Sequence, residues 1–290
     1  MSNILITLFS DLANFRRYGA GAETNSSFDD LLASAIASKK QIEIIISPAT
    51  YLYVVGKTGV DDNEKEALRS AMANLTLARQ SVFDSITRRK ANIAVYKNEL
   101  EAMKRSYLEN YYLAMDTLIQ LLEEENNDSS NWKNSRYAKI LSSVQITKTE
   151  DFDIIYPIDL SFLFFFRTIP LQKESLDEGL NAYFDKIDTL DDAAMAMINL
   201  ALAKKTVSKA LRRFDILEFP PTIRNLFEDS KESRSGKDEH DSAISLANDL
   251  DNDVSSLLSN IDTIISDSEA TDISTQTSFN SCEDKIILFP

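Results

Sequence analysis

Between residues 61 and 125 the apolar side chains return on alternating steps of four and three, the spacing that lines up one stripe of a long α-helix. Sixteen positions from 68 to 121 follow this beat, and twelve of them fit: Leu68, Met72, Leu75, Val82, Ile86, Ile93, Tyr96, Leu100, Met103, Tyr107, Ala114 and Leu121. Arg79, Arg89, Asn110 and Thr117 interrupt it. A period of 3.5 keeps the stripe facing a partner helix, so the pattern predicts coiled-coil or long-hairpin packing. Near its end a second row, Tyr107, Tyr111, Met115, Leu118 and Leu122, takes over with an extra residue of spacing, a stutter that locally unwinds a supercoil. Asp61, Asp62 and Glu64 stand at the start, where the helix dipole favours negative charge. Unbroken, such a helix is roughly 95 Å long. Leu68, Met72, Leu75, Val82, Ile86, Ile93, Leu100 and Met103 are the expected self-association residues.

The flanking segments also read as helices. Leu5, Leu8, Leu12 and Phe15 place one over residues 3–17, ending in Arg16 and Arg17. Ser27-Phe-Asp-Asp30 resembles a capping box and opens a helix toward Ile46. In residues 41–55 the β-branched and aromatic side chains favour strand, but Pro48 breaks any continuous element, which predicts a helix end, a turn and a short apolar segment. A further helix or extended segment is expected from Trp132 to Gln145. Ser175-Leu-Asp-Glu178 and Thr189-Leu-Asp-Asp192 each predict a helix start, the second helix reaching Leu217 before Pro220-Pro221. That helix ends in Lys204, Lys205, Lys209, Arg212 and Arg213, which complement its own dipole or suit an acidic partner or membrane.

The strongest apolar run, Ile154 to Leu171, holds Phe162, Phe164, Phe165 and Phe166 between Pro157 and Pro170. It is interrupted by Asp159 and Arg167 and is short of the about 20 residues that a spanning helix needs. A core plug is the first expectation. The alternative makes those four phenylalanines membrane contacts and residues 158–169 the inserting element of a helical pore-former. Beyond it, Ala243, Ala247, Leu250, Val254, Leu257, Ile261 and Ile264 form a second heptad row on an acidic helix, which must pack on the body or pair with a copy of itself. The predicted organisation is a helical body over 1–218, a linker over 219–241, an acidic heptad helix over 242–265 and a disordered or extended tail over 266–290.

Composition narrows the class. Six glycines and six prolines in 290 residues leave few positions for tight hairpins, so the fold is expected to be mainly α, an elongated helical bundle or coiled coil built on one long helix with a flexible acidic tail. A net charge of −15 argues against nucleic acid, whose phosphates need a basic face. The lone Cys282 excludes a disulfide framework and fits a reducing, cytoplasmic setting. With His240 as the only histidine there is no multi-histidine metal site, and Gly56-Lys57-Thr58 lacks the glycines of a phosphate loop. Neither cofactor, metal nor catalysis is expected. The chain reads as a non-enzymatic assembly or adaptor protein that forms homo- or hetero-oligomers and binds protein partners.

One short motif points to a particular partner. Thr275-Gln276-Thr277, with Asp272 ahead of it, resembles the Thr-Gln-Thr motif by which many proteins bind dynein light chain; Ile273 stands where that motif often has Lys. The resemblance implies an extended peptide added as a strand to the edge of the light-chain dimer. It also implies a gain in avidity when two tails are paired.

Overall fold

The computed structural model describes residues 4–19, 27–58, 62–90, 97–125, 130–187, 192–226 and 236–272. The described chain is mainly α, with no strand among these residues. Its helices are α1 (Ile4–Leu8), α2 (Leu12–Tyr18), α3 (Leu32–Ile46), α4 (Pro48–Gly56), α5 (Asn63–Lys90), α6 (Lys97–Glu124), α7 (Thr149–Ile155), α8 (Phe162–Ser175), α9 (Asn181–Ile187), α10 (Asp192–Leu211), α11 (Pro221–Arg224) and α12 (Gly236–Asp272). Short 3₁₀ turns at Trp132–Asn134 and Ala138–Ser143 fill the stretch after α6.

Local chemistry accounts for most boundaries. The N-terminal stretch is two helices because Asp11 starts a new one, its carboxylate accepting from the Asn14 amide at 2.7 Å. Ser27 and Asp30 make the expected reciprocal cap, 2.8 Å from Ser27 N to Asp30 Oδ2 and 3.3 Å from Asp30 N to Ser27 Oγ. Pro48 sits at the first position of α4, where its missing N–H is no loss, after Ser47 turns the chain with φ 80°. Ser175-Glu178 does not open a helix. The Ser175 hydroxyl donates to Leu171 O at 2.8 Å, α8 runs on through a wide turn over Leu176–Leu180, and the break falls at Gly179, whose φ of 135° needs glycine.

The single helix expected across 61–125 is two helices folded back on each other. Lys57, just ahead of α5, bonds Glu64 in the first turn of α5 at 2.8 Å and Glu125, just after α6, at 3.0 Å, so the pair is antiparallel. The heptad row therefore closes within one chain as a hairpin, and Ile93 lies outside the described residues. From this hairpin the body builds sideways: α3 packs on α5, α8 on α6, α10 on α8 and α12 on α10.

Phe162, Leu163, Phe164, Phe165 and Phe166 are buried, with Phe166 edge-on to Trp132 at 5.0 Å and Phe164 against Phe219 at 5.4 Å. This run lies in the middle of the core, and α8, covered on several sides, needs apolar residues all round. No helix among the described residues is long and apolar enough to cross a membrane.

The C-terminal boundaries also move. Phe219 and Ile223, expected in a linker, are buried under the body, and α12 spans 236–272 where a helix over 242–265 was expected. Its row of Ala243, Ala247, Leu250, Val254 and Ile261 is buried against α10, so the second heptad seam is satisfied inside the chain.

Candidate interaction site

In α5 every residue from 71 to 78 is buried, Ala71, Ala73 and Ala78 being small enough for neighbours to close in from several sides. Met72 and Leu75 belong to this enclosed stretch, and Leu68 one turn earlier is buried as well. Their surface is removed from water within the chain itself. Arg79 and Gln80 reach α3 through hydrogen bonds to Gln41 and, at 2.9 Å, from Ser34.

One turn further the pattern inverts. Ser81 and Ser85 are buried, their hydroxyls returned to Ala78 O at 2.8 Å and Val82 O at 2.7 Å, while Val82 is 44% exposed, Phe83 56% and Ile86 47%. On the facing helix Tyr107 is buried and Met103 is 39% exposed, with Leu100 half-buried. Serines buried with valine, phenylalanine and isoleucine toward water is the reverse of what a free surface helix requires. Val82, Ile86 and Met103 were expected along the seam and instead lie outside it. Phe83 was not expected at all, since it falls off the heptad row. The signal for it was the Ser81/Ser85 pair, which at i and i+4 shares the smaller and more polar face of the helix, the face that is buried.

This end of the hairpin is basic in sequence. Residues 88–105 hold Arg88, Arg89, Lys90, Lys97, Lys104 and Arg105 against Glu99 and Glu101, in a chain whose net charge is −15. Lys104 is exposed, and Arg105 pairs with Glu239 of α12 at 3.7 Å.

The basic residues of α10 have a different fate. Lys204 pairs with Asp253, Lys205 with Asp251 at 3.1 Å and Arg212 with Asp251 at 2.9 Å; Ser208 donates to Ala247 O at 3.0 Å. Lys209 meets Glu174 and Glu178, each at 2.7 Å, and Arg213 meets Glu174 at 2.6 Å. The two cations beside Glu174 hold its carboxyl down at about 2. Burial raises the Asp251 carboxyl, but its bonds from Lys205 and Ser208 outweigh that and leave it lowered. The acidic partners of these basic residues thus lie in the chain itself, on α12 and at the end of α8 and the turn after it.

A cleft of about 390 Å³ opens between α6, the start of α8 and the Pro220-Pro221 turn. Desolvation pushes the carboxyls of Asp116 and Glu218 above the ordinary range, and perturbed acids in a cleft are a recognised mark of chemistry. Here each is engaged in holding elements together. Asp116 Oδ1 accepts from Ser161 Oγ at 2.7 Å and Leu163 N at 2.8 Å, tying α6 to the start of α8. Glu218 pairs with Arg167 at 2.9 Å, Glu109 with Arg224 at 3.5 Å, and Asp159 accepts from the Thr222 amide at 2.8 Å. Among the described residues no group of three or more acidic, histidine or cysteine side chains is placed to hold a metal ion.

Of the tail motif only Asp272 falls within the described residues, as the last residue of α12; Thr275, Gln276 and Thr277 lie outside them. Compared with family models, with curated proteins and with solved structures, the chain matches none.

Proposed function

We propose that this chain is a non-enzymatic helical assembly or adaptor protein of the cytoplasm. It self-associates through the outer half of the α5–α6 hairpin and recruits partners through its acidic C-terminal region. The observation that carries this reading is the inverted surface at residues 81–86, where two serines are buried and Val82, Phe83 and Ile86 face water. Apolar area left in water by folding is recovered when a second surface covers it, at roughly 25 cal/mol per Å². Engagement of the cleft carboxylates in ion pairs and backbone bonds supports the non-enzymatic half of the reading.

The assembly reading is tested by sedimentation velocity of the full chain across a concentration series. The expected result is a concentration-dependent rise in sedimentation coefficient, whereas a single monomeric species at every concentration into the high micromolar range sinks it. The recruiting role has its own test in the Thr275-Gln276-Thr277 segment, proposed as a dynein light chain anchor. A peptide of residues 268–282 is expected to bind the light chain saturably and to lose that binding on Gln276→Ala. No saturable binding by the parent peptide makes the motif an accident of sequence.

A further inference from the structure

We propose that the cleft between α1, α3 and α4 is a binding site for a single-chain fatty acid, its acyl chain held by the cleft walls and its carboxylate by Lys39 and Tyr51.

The site grows out of the packing of three neighbouring helices. Past the turn at Ser47, α4 packs against α3, and α1 packs on α3 as well. Between them lies a cleft of about 420 Å³, a size typical of small-molecule sites. Ile4, Leu32, Ile36, Leu52 and Val55 make its walls, and Ile36 and Leu52 remain more than half exposed. Aliphatic side chains left in water around a concavity favour an apolar occupant, which removes that surface from water.

Two donors without acceptors complete the site. Tyr51 lines the cleft and is 2% exposed, yet its hydroxyl has no hydrogen-bond partner among the described residues. A buried donor in that condition costs the folded state. Desolvation, with Glu43 nearby, pushes the phenol well above its ordinary range, so it keeps the proton that it would donate. Among the described residues that line the cleft Lys39 alone is charged, and its ammonium lies 5.1 Å from the centre of the Tyr51 ring. Its ion pair with Glu43, at 3.6 Å, is too long for a hydrogen bond, which leaves its N–H groups able to serve a second carboxylate. Thr7, the remaining polar lining residue, already returns its hydroxyl to Ile4 O at 2.7 Å.

An ammonium and a neutral O–H donor side by side suit one carboxylate, through charge-assisted bonds, and the aliphatic walls suit a hydrocarbon chain. Other occupants fit less well. A phosphate brings more negative charge than one lysine beside Glu43 can balance. A peptide brings backbone N–H and C=O groups that aliphatic walls leave unpaired. Nor does the net charge of −15 stand against an anion here, since residues 1–58 hold five basic and five acidic side chains.

The experiment is isothermal titration of the full chain with octanoate and decanoate, and with decanol as the uncharged control. Wild type is expected to bind one acid per chain, decanoate about fifteenfold more tightly than octanoate, as burial of two further methylenes implies. Tyr51→Phe removes only the stranded hydroxyl, so it should unfold at a temperature no lower than wild type while binding decanoate about tenfold more weakly. Lys39→Met should weaken decanoate to a similar degree and leave decanol unchanged. Glu43→Gln, which removes the carboxylate competing for Lys39, should tighten decanoate a few-fold. No saturable binding by wild type overturns the proposal, as does a decanoate affinity indifferent to both Tyr51→Phe and Lys39→Met, which would leave the phenol to water and the acid to some other surface. Two further outcomes overturn it in a chain that binds no free acid. Self-association lost on Leu52→Asp in sedimentation velocity gives this face to a second copy, and flotation with phosphatidylserine vesicles lost on the same variant gives it to a lipid surface.

Discussion

At the scale of single residues, the start of α8 shows how one carboxylate does a structural task. Both hydrogen bonds to Asp116 go to the same oxygen, so an amide at that position keeps an acceptor in place without the charge. Asp116→Asn is therefore expected to leave stability nearly unchanged at neutral pH, whereas Asp116→Ala strands the Leu163 amide and should cost about 1–3 kcal/mol in chemical denaturation. The sign of the pH effect follows from burial. A carboxyl raised above its unfolded value favours the folded state while protonated, so its contribution is full below the ordinary carboxylate range and is lost as pH rises through the raised value. The Asn variant should flatten the stability profile in that window; an unchanged profile would place the slope elsewhere, Glu218 being raised by burial in the same sense. A few residues earlier, Asp159 and Leu160 both take positive φ, 54° and 51°, held by Asp153 Oδ1 accepting from the Ile158 and Leu160 amides at 2.8 and 3.1 Å. Leu160 is exposed, so its side chain contributes little packing to offset that geometry. Leu160→Gly should stabilise the protein by about 1 kcal/mol, since glycine adopts this region without the steric penalty.

Elements differ in how firmly they are joined. The α5–α6 hairpin buries Leu68, Met72, Leu75, Tyr111, Met115 and Leu118, whereas α12 buries Ala243 and Ala247 in its first half, with Leu250, Val254 and Ile261 further on. Charge supplies part of what the small side chains do not, through Asp251 and its bonds to Lys205, Ser208 and Arg212. Asp251→Ala should weaken the docking of α12 by about 1–3 kcal/mol, because it strands bonds made to charged groups. Ala247→Leu should do so by about 1–3 kcal/mol through overpacking. Amide hydrogen exchange reads both, with faster exchange in α12 and none in the hairpin; a change spread evenly over the molecule would mean that α12 unfolds only with the whole.

For the whole molecule, order and charge run in the same direction. Helices stack from α3 through α5, α6, α8 and α10 to α12, and the acidic end of that series is the helix leading to the Thr-Gln-Thr segment. If assembly brings two chains together, two tails come with them, and a bivalent partner gains from their proximity. The full chain is thus expected to bind dynein light chain more tightly than the isolated 268–282 peptide, and Phe83→Asp with Ile86→Asp should return its affinity to the peptide's value. Isothermal titration would check this, with equal affinity for chain and peptide arguing against pairing of the tails.

The helical class, the antiparallel option for the 61–125 seam, the cap at Ser27 and Asp30, the turn at Pro48 and the inward row of α12 were all legible in the sequence. Each depends on local chemistry or on a period that any helix obeys. The buried phenylalanines of α8 were legible in part, as the first of two readings. What tertiary structure decided is which parts of a periodic row meet their own chain. The seam at Leu68 and Leu75 is enclosed because α2, α3 and α6 converge there, while Val82 and Ile86, at the same heptad spacing, are left in water. Periodicity records a helix's faces, but burial depends on how many neighbours reach each turn, and that is set by contacts between residues distant in the chain. The same reason moved the basic end of α10 from a surface awaiting a partner to one already occupied by α12 and by Glu174 and Glu178.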